Sequence, residues 1–82
     1  MNTIWQINDG YYHTDIDNLN IKIGFTYQDT ISLTLTDTDN NYIFSDDEYR
    51  TLIEVENEIN YYFRYKIDLP TIDQIIIASR YH

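Results

Sequence analysis

The chemically capable side chains of this sequence are carboxylates, and they are crowded. Asp37, Asp39, Asp46, Asp47, Glu48, Glu54, Glu56 and Glu58 share a 22-residue window with a single base, Arg50, and carry seven of the nine net negative charges. Packing like charges so densely costs folding free energy through self-repulsion. A positively charged partner is the simplest functional explanation, and solubility is the simplest non-functional one. Paired carboxylates such as Asp46 and Asp47 can in principle do acid–base work, but catalysis of that kind asks for a sheltered site, and theirs reads as an exposed helix start. With no cysteine, no glycine-rich phosphate loop and no serine in an elbow motif, the sequence points away from an enzyme. His13 sits among polar strand residues and His82 is terminal, with no third ligand at useful spacing, so neither a zinc set nor any other cofactor is expected.

A second constellation overlaps the first. From Asp37 to Glu48 the residues Asp37, Asp39, Asn41, Ser45 and Glu48 fall on positions 1, 3, 5, 9 and 12 of an EF-hand calcium loop, with Glu48 placed to close the site. Two features oppose this alternative. Position 6, where the loop needs a glycine at positive φ, is Tyr42, and the preceding segment reads as a strand instead of the incoming helix. An Asp/Asn turn followed by a helix cap explains the same residues without metal.

The elements that would position these groups begin with short strands. Ile4 to Ile7, the turn Asn8-Asp9-Gly10 and Tyr11 to Ile16 read as a tight hairpin. Leu19 to Tyr27 alternates, with Leu19, Ile21, Ile23 and Phe25 on one face. Thr30 to Thr36 alternates again, placing Ile31, Leu33 and Leu35 inward. The turn formers from Asp37 to Asn41 predict a loop, and Tyr42 to Phe44 a short strand that ends at a helix.

Ser45-Asp-Asp-Glu48 has the form of a capping box, in which the Ser45 hydroxyl accepts from the Glu48 amide and the Glu48 carboxylate reaches back. The helix is predicted from about Asp46 to Lys66, with Leu52, Val55, Ile59, Tyr62 and Phe63 as its apolar stripe. Steps of about 100° then group Asp47, Glu54, Glu58, Tyr61 and Tyr65 on the exposed side, with Glu56 nearer the apolar edge. Glu54 and Glu58 lie one turn apart, about 6 Å along the axis. Phosphate charges along nucleic acid have spacing of that order, and Tyr61 and Tyr65 would add rigid aromatic anchors. The same residues also fit a solvated helix face. After Leu69-Pro70, Thr71-Ile-Asp-Gln74 is a second cap, and Ile72, Ile75, Ile76 and Ser79 favour a short terminal helix, although Ile75 to Ile77 also suits an edge strand.

The expected fold is therefore a single α+β domain spanning residues 1–82: an antiparallel sheet of four to five short strands, then a long acidic helix and a short C-terminal helix. A chain of this length buries roughly 60% of the surface exposed when unfolded. Its 43% hydrophobic and 16% aromatic residues supply a core. No signal-peptide pattern or long apolar run is present, so the expectation is a soluble cytoplasmic protein. A net charge of −9 disfavours direct binding to nucleic acid or anionic lipid, which both rely on Lys and Arg. The expected partner is basic. Nine tyrosines leave a homodimer open as well.

The stretch from Ile21 to Ile59, with the strand Thr30-Ile-Ser-Leu-Thr-Leu-Thr36, the Asp/Asn turn, the strand Asn41-Tyr-Ile-Phe44 and an acidic capped helix, resembles the small acidic inhibitors that bacterial viruses make against type II CRISPR effector nucleases. The resemblance lies in element order and charge and covers about half of the chain. The chain departs from it at the N-terminus, where the best-known such inhibitor opens with a helix and Met1 to Asp17 here reads as a hairpin. The resemblance implies mimicry of duplex DNA in the cleft where the nuclease reads its target. Carried onto this chain, the carboxylates involved would be Asp37, Asp39, Asp46, Asp47, Glu54 and Glu58, inside the host cytoplasm.

Overall fold

A computed structural model describes residues 3–37, 39, 41–62 and 67–80. Strands β1 (Gln6–Asn8), β2 (Tyr11–Ile16), β3 (Leu19–Phe25), β4 (Ile31–Asp37) and β5 (Tyr42–Tyr49) form one antiparallel sheet whose spatial order is the order of the sequence. Helices α1 (Leu52–Tyr62) and α2 (Ile72–Arg80) follow. The expected α+β architecture is the one observed.

Turn chemistry explains the meander. Asn8 pairs with Tyr11 across a two-residue loop in which Asp9 and Gly10 both have positive φ, 53° and 85°. That combination matches the right-handed twist of the flanking strands, and it is why an Asp-Gly step closes this hairpin. Asp17 (φ 54°) opens the equally short turn between Ile16 and Leu19. β3 stops at Phe25, two residues before the expected Tyr27, because the chain turns there: the Thr26 amide donates to the Thr30 carbonyl at 2.9 Å and the two hydroxyls lie 2.6 Å apart.

Strand alternation divides the sheet into two unlike faces. One carries Ile16, Ile21, Ile23, Ile31, Leu33, Leu35 and Tyr49, all buried, against Val55 and Ile59 of α1, Ile67, and Ile75 of α2. α1 packs over β4 and β5, and α2 over β2 and β3. Among the described residues no helix covers the other face, which presents Lys22, Ser32, Thr34, Thr36 and Ser45. There the Tyr11 ring lies across Gly24, where a Cβ would come within 2.5 Å of two ring carbons, and the Lys22 ammonium sits 5.3 Å from the ring centroid.

The β5–α1 boundary corrects the expected one. Ser45-Asp-Asp-Glu48 does not cap a helix: it is strand, and the helix begins at Leu52 instead of Asp46. The Ser45 hydroxyl lies 3.2 Å from that of Thr34, and the Glu48 amide donates to Asp46 Oδ1 at 2.9 Å. A second sequence of the same form, Thr51-Leu-Ile-Glu54, makes the cap: the Glu54 amide donates to Thr51 Oγ1 (3.3 Å), and Glu54 Oε1 accepts from the Thr51 hydroxyl (3.2 Å) and the Arg50 amide (3.3 Å). Starting the helix at Asp46 would strand the outer backbone groups of β4 from Ile31 to Thr34. Extending β5 pairs them and carries Tyr49 into the core beside Ile31. The expected Thr71–Gln74 box forms as read, with reciprocal bonds of 2.9 and 3.2 Å, and α2 is a helix. Of the expected apolar stripe, Val55 and Ile59 are buried, Leu52 and Tyr62 pack against the core, and Phe63 lies outside the described residues.

Candidate functional site

β5 is an edge strand, and its exposed residues bear the acidic sequence. Asp46, Asp47 and Glu48 are consecutive and all exposed. The register against β4 slips twice, once around Ile43 and once where Asp47 and Glu48 together face Ser32. Such bulges twist an edge and interrupt its ladder, and with the charges they discourage another strand of the same kind from adding. The second bulge is fixed from both sides. The Asp46 carboxylate accepts the Glu48 amide, and the Thr30 hydroxyl donates to the Asp47 carbonyl at 2.6 Å.

Asp37 and Asp39 lie at one end of this strand. Asp37 Oδ1 accepts the amides of Asp39 (2.9 Å) and Asn41 (2.8 Å), and Oδ2 accepts from the Asn41 side chain (3.2 Å). The Asn41 amide, with support from its side chain and from Asp39, holds the Asp37 carboxyl below its ordinary value. Glu54 lies at the other end, exposed in the first turn of α1, where the helix dipole favours a carboxylate.

Two expected members of the exposed stripe lie elsewhere. Glu58 is half-buried and accepts a hydrogen bond from the Tyr49 hydroxyl at 3.1 Å. Burial first, then that bond and the Glu58 charge, pushes the Tyr49 phenol well above its ordinary value of 10.0, so it remains a donor. Asp47 belongs to the strand, so no helix face gathers it with Glu54 and Glu58. Tyr61 is exposed as expected and meets Tyr62 edge to face, with centroids 5.2 Å apart. Tyr65 lies outside the described residues. Glu48, which the sequence placed as a capping partner, joins the acidic edge instead.

The calcium-loop spacing does not become a calcium loop. Asp37 and Asn41 bracket a hairpin turn, whereas Ser45 and Glu48 are carried along an extended strand, Glu48 roughly 20 Å beyond the turn at about 3.3 Å per residue. Among the described residues no group of three or more His, Cys, Asp or Glu side chains is gathered as a metal site. No helix among them is long and apolar enough to cross a membrane.

No salt bridge joins Asp46, Asp47 or Glu48 to another described residue. The edge is therefore a line of solvated negative charge. Successive side chains of an extended strand point to opposite faces, so the three carboxylates spread negative charge to both sides of the edge. No family model, curated protein or solved structure matches the chain.

Proposed function

We propose that the protein is a non-enzymatic inhibitor that lays its acidic β5 edge into the nucleic-acid site of a basic protein, with a CRISPR effector nuclease in the bacterial cytoplasm as the specific target. One observation carries the reading: Asp46, Asp47 and Glu48 stand in succession on an exposed strand edge, continued by Asp37 and Asp39 at one end and Glu54 at the other, with no described cation paired to the three strand carboxylates. Arg and Lys side chains that otherwise grip phosphates would meet carboxylates there. Opposite charges at this exposed edge would speed association and make it salt-sensitive, since screening sets in beyond about 10 Å at 0.1 M salt.

The test is competition between this protein and duplex DNA for a purified type II effector nuclease, at two salt concentrations. Wild type should displace DNA, less so at the higher salt. Reversing Asp47 and Glu48 together to Lys should abolish displacement while circular dichroism stays unchanged, because both side chains are exposed; Asp46 is kept, since its carboxylate accepts the Glu48 amide in the bulge. Undiminished displacement by the folded double variant would refute the role of β5. Glu58 is unsuited to such a reversal, since a lysine there would lose the Tyr49 bond and disturb the fold.

A further inference from the structure

The opposite edge of the sheet has a different composition. Residues 1–8 contain no charged side chain in a chain of net charge −9, and the first carboxylate is Asp9 in the hairpin turn. Along this edge Ile4 is 81% exposed and Ile7 60%. Ile7 borders an apolar groove of about 470 Å³ between the hairpin and α2, lined also by Tyr12, Gln74, Ala78 and Ile77, the last 55% exposed. The edge is held firmly in place. Trp5 packs on the core and its indole N–H donates to the Asp68 carbonyl at 2.6 Å, while the Ile4 carbonyl accepts from the Thr14 hydroxyl at 2.7 Å.

The two-residue turn also fixes which backbone groups are free. Asn8 pairs with Tyr11 and Gln6 with His13 as the mutually hydrogen-bonded positions, so the amide and carbonyl of Ile7, and of Trp5 before it, point away from β2. They form a short, uncharged strand edge without a bulge, and no described strand pairs with it. We propose that this edge binds a second copy of the same chain, β1 against β1 antiparallel about a two-fold axis at Gln6, joining the two sheets into one.

Charge selects the occupant. Two copies at −9 each repel wherever carboxylates meet, and a β5–β5 contact would set Asp46, Asp47 and Glu48 against their equivalents. Of the two edges of the described sheet, β1 is the one where two copies can approach without opposing charges. With Gln6 on the axis, Trp5 of each copy exchanges backbone hydrogen bonds with Ile7 of the other, Ile4 falls opposite Asn8, and Asp9 falls opposite Thr3 and not another carboxylate. The Ile7 and Ile77 surfaces then lose water together. An edge of this length buries less than the roughly 1,200 Å² of a tight complex, so the dimer is a micromolar one. The proposal stands apart from the acidic edge, which remains open at both ends of the dimer.

Sedimentation equilibrium of the whole protein from micromolar to millimolar concentration should show a monomer–dimer equilibrium that tightens as salt screens the residual repulsion. Ile7→Lys should raise the dissociation constant on the order of a hundredfold by placing an unpaired charge at the seam, with unchanged circular dichroism because Ile7 is largely exposed. The chain has no cysteine, so Gln6→Cys supplies an independent readout. The central non-hydrogen-bonded pair of an antiparallel ladder has Cα atoms about 4.5 Å apart, within disulfide range. Q6C should therefore oxidise to a covalent dimer rapidly, and Asp47→Cys on the other edge should not. A wild type that stays monomeric to millimolar concentration would overturn the proposal. So would a dimer indifferent to I7K, or equal crosslinking by Q6C and D47C.

Discussion

The two edges of this sheet solve the same problem in opposite ways. Every open sheet ends in strands with unpaired backbone groups, which invite further pairing. β5 answers with three consecutive carboxylates and two bulges; β1 is short, uncharged and flanked by exposed isoleucine. Aromatic side chains that reach inward anchor both: Tyr49, with Phe44, for β5, and Trp5, just before β1. An edge is thus specified twice, by the anchor that fixes where its backbone runs and by the outward residues that decide what may approach. Charge on the outward side is what distinguishes the two edges, and it is why the proposals above give β5 a basic partner and β1 a second copy.

Breaking the anchors should give the largest effects, and unequal ones. Tyr49 is buried and its hydroxyl satisfies Glu58, so Tyr49→Ala removes a core ring and leaves a half-buried carboxylate without that donor. A loss of about 3–5 kcal/mol is expected from urea denaturation. Trp5 is only partly buried, and Trp5→Ala should cost less, about 2 kcal/mol. Equal losses would mean that the ladder to β4, and not the Tyr49 ring, holds β5 in place.

The helix caps sharpen the comparison at smaller scale. Thr51→Ala and Thr71→Ala each remove a hydroxyl that accepts a helix amide, and each should cost about 1 kcal/mol. Their consequences for binding should differ. Thr51 also donates to Glu54, part of the acidic edge, whereas Thr71 starts the helix that packs over β2 and β3. T51A should therefore weaken binding to a basic partner beyond its effect on stability, and T71A should not. Equal binding by both variants would remove Glu54 from the acidic surface.

The meander was legible because each of its decisions is local. Asp9-Gly10 has the backbone freedom its turn requires, and the alternation of Ile21, Ile23, Ile31, Leu33 and Leu35 leaves one choice of buried face. The start of α1 was not legible, because Ser45-Asp-Asp-Glu48 and Thr51-Leu-Ile-Glu54 are both valid capping sequences and local chemistry does not rank them. The deciding factor is tertiary: the outer side of β4 must be paired, and Tyr49 reaches the core only if the strand runs on through a bulge. The acidic residues were misplaced by the same error, which put Asp46 and Asp47 on a helix and overlooked Glu48 as their neighbour on the edge. Glu58 was placed on the exposed side by periodicity. Its partner Tyr49 could be recognised only once β5 was known to extend that far.

The smallest expected difference lies in how the two edges are closed. The β1–β2 turn is set by backbone conformation at Asp9 and Gly10, but the β4–β5 loop is gathered around a carboxylate, with both Asp37 oxygens accepting hydrogen bonds from the Asp39–Asn41 segment. Those bonds favour the ionised form and lower its pKa from 3.8. A lowered folded-state pKa makes its contribution to stability fully present above the unfolded value near 3.8 and lost as pH falls through the folded one. Because Asp37 is solvent-accessible, the contribution is small and local. Amide exchange at Asp39 and Asn41 should accelerate, beyond the intrinsic pH effect, as pH drops from 5 toward 2, while Tyr11 and Tyr12 beside the other turn show no matching change. Asp37→Asn should be less protected at pH 5 and should flatten that acid dependence. Parallel pH profiles for wild type and D37N would show that the loop is held by its backbone alone, as the β1–β2 turn is, and that the two edges differ only in what they present to a partner.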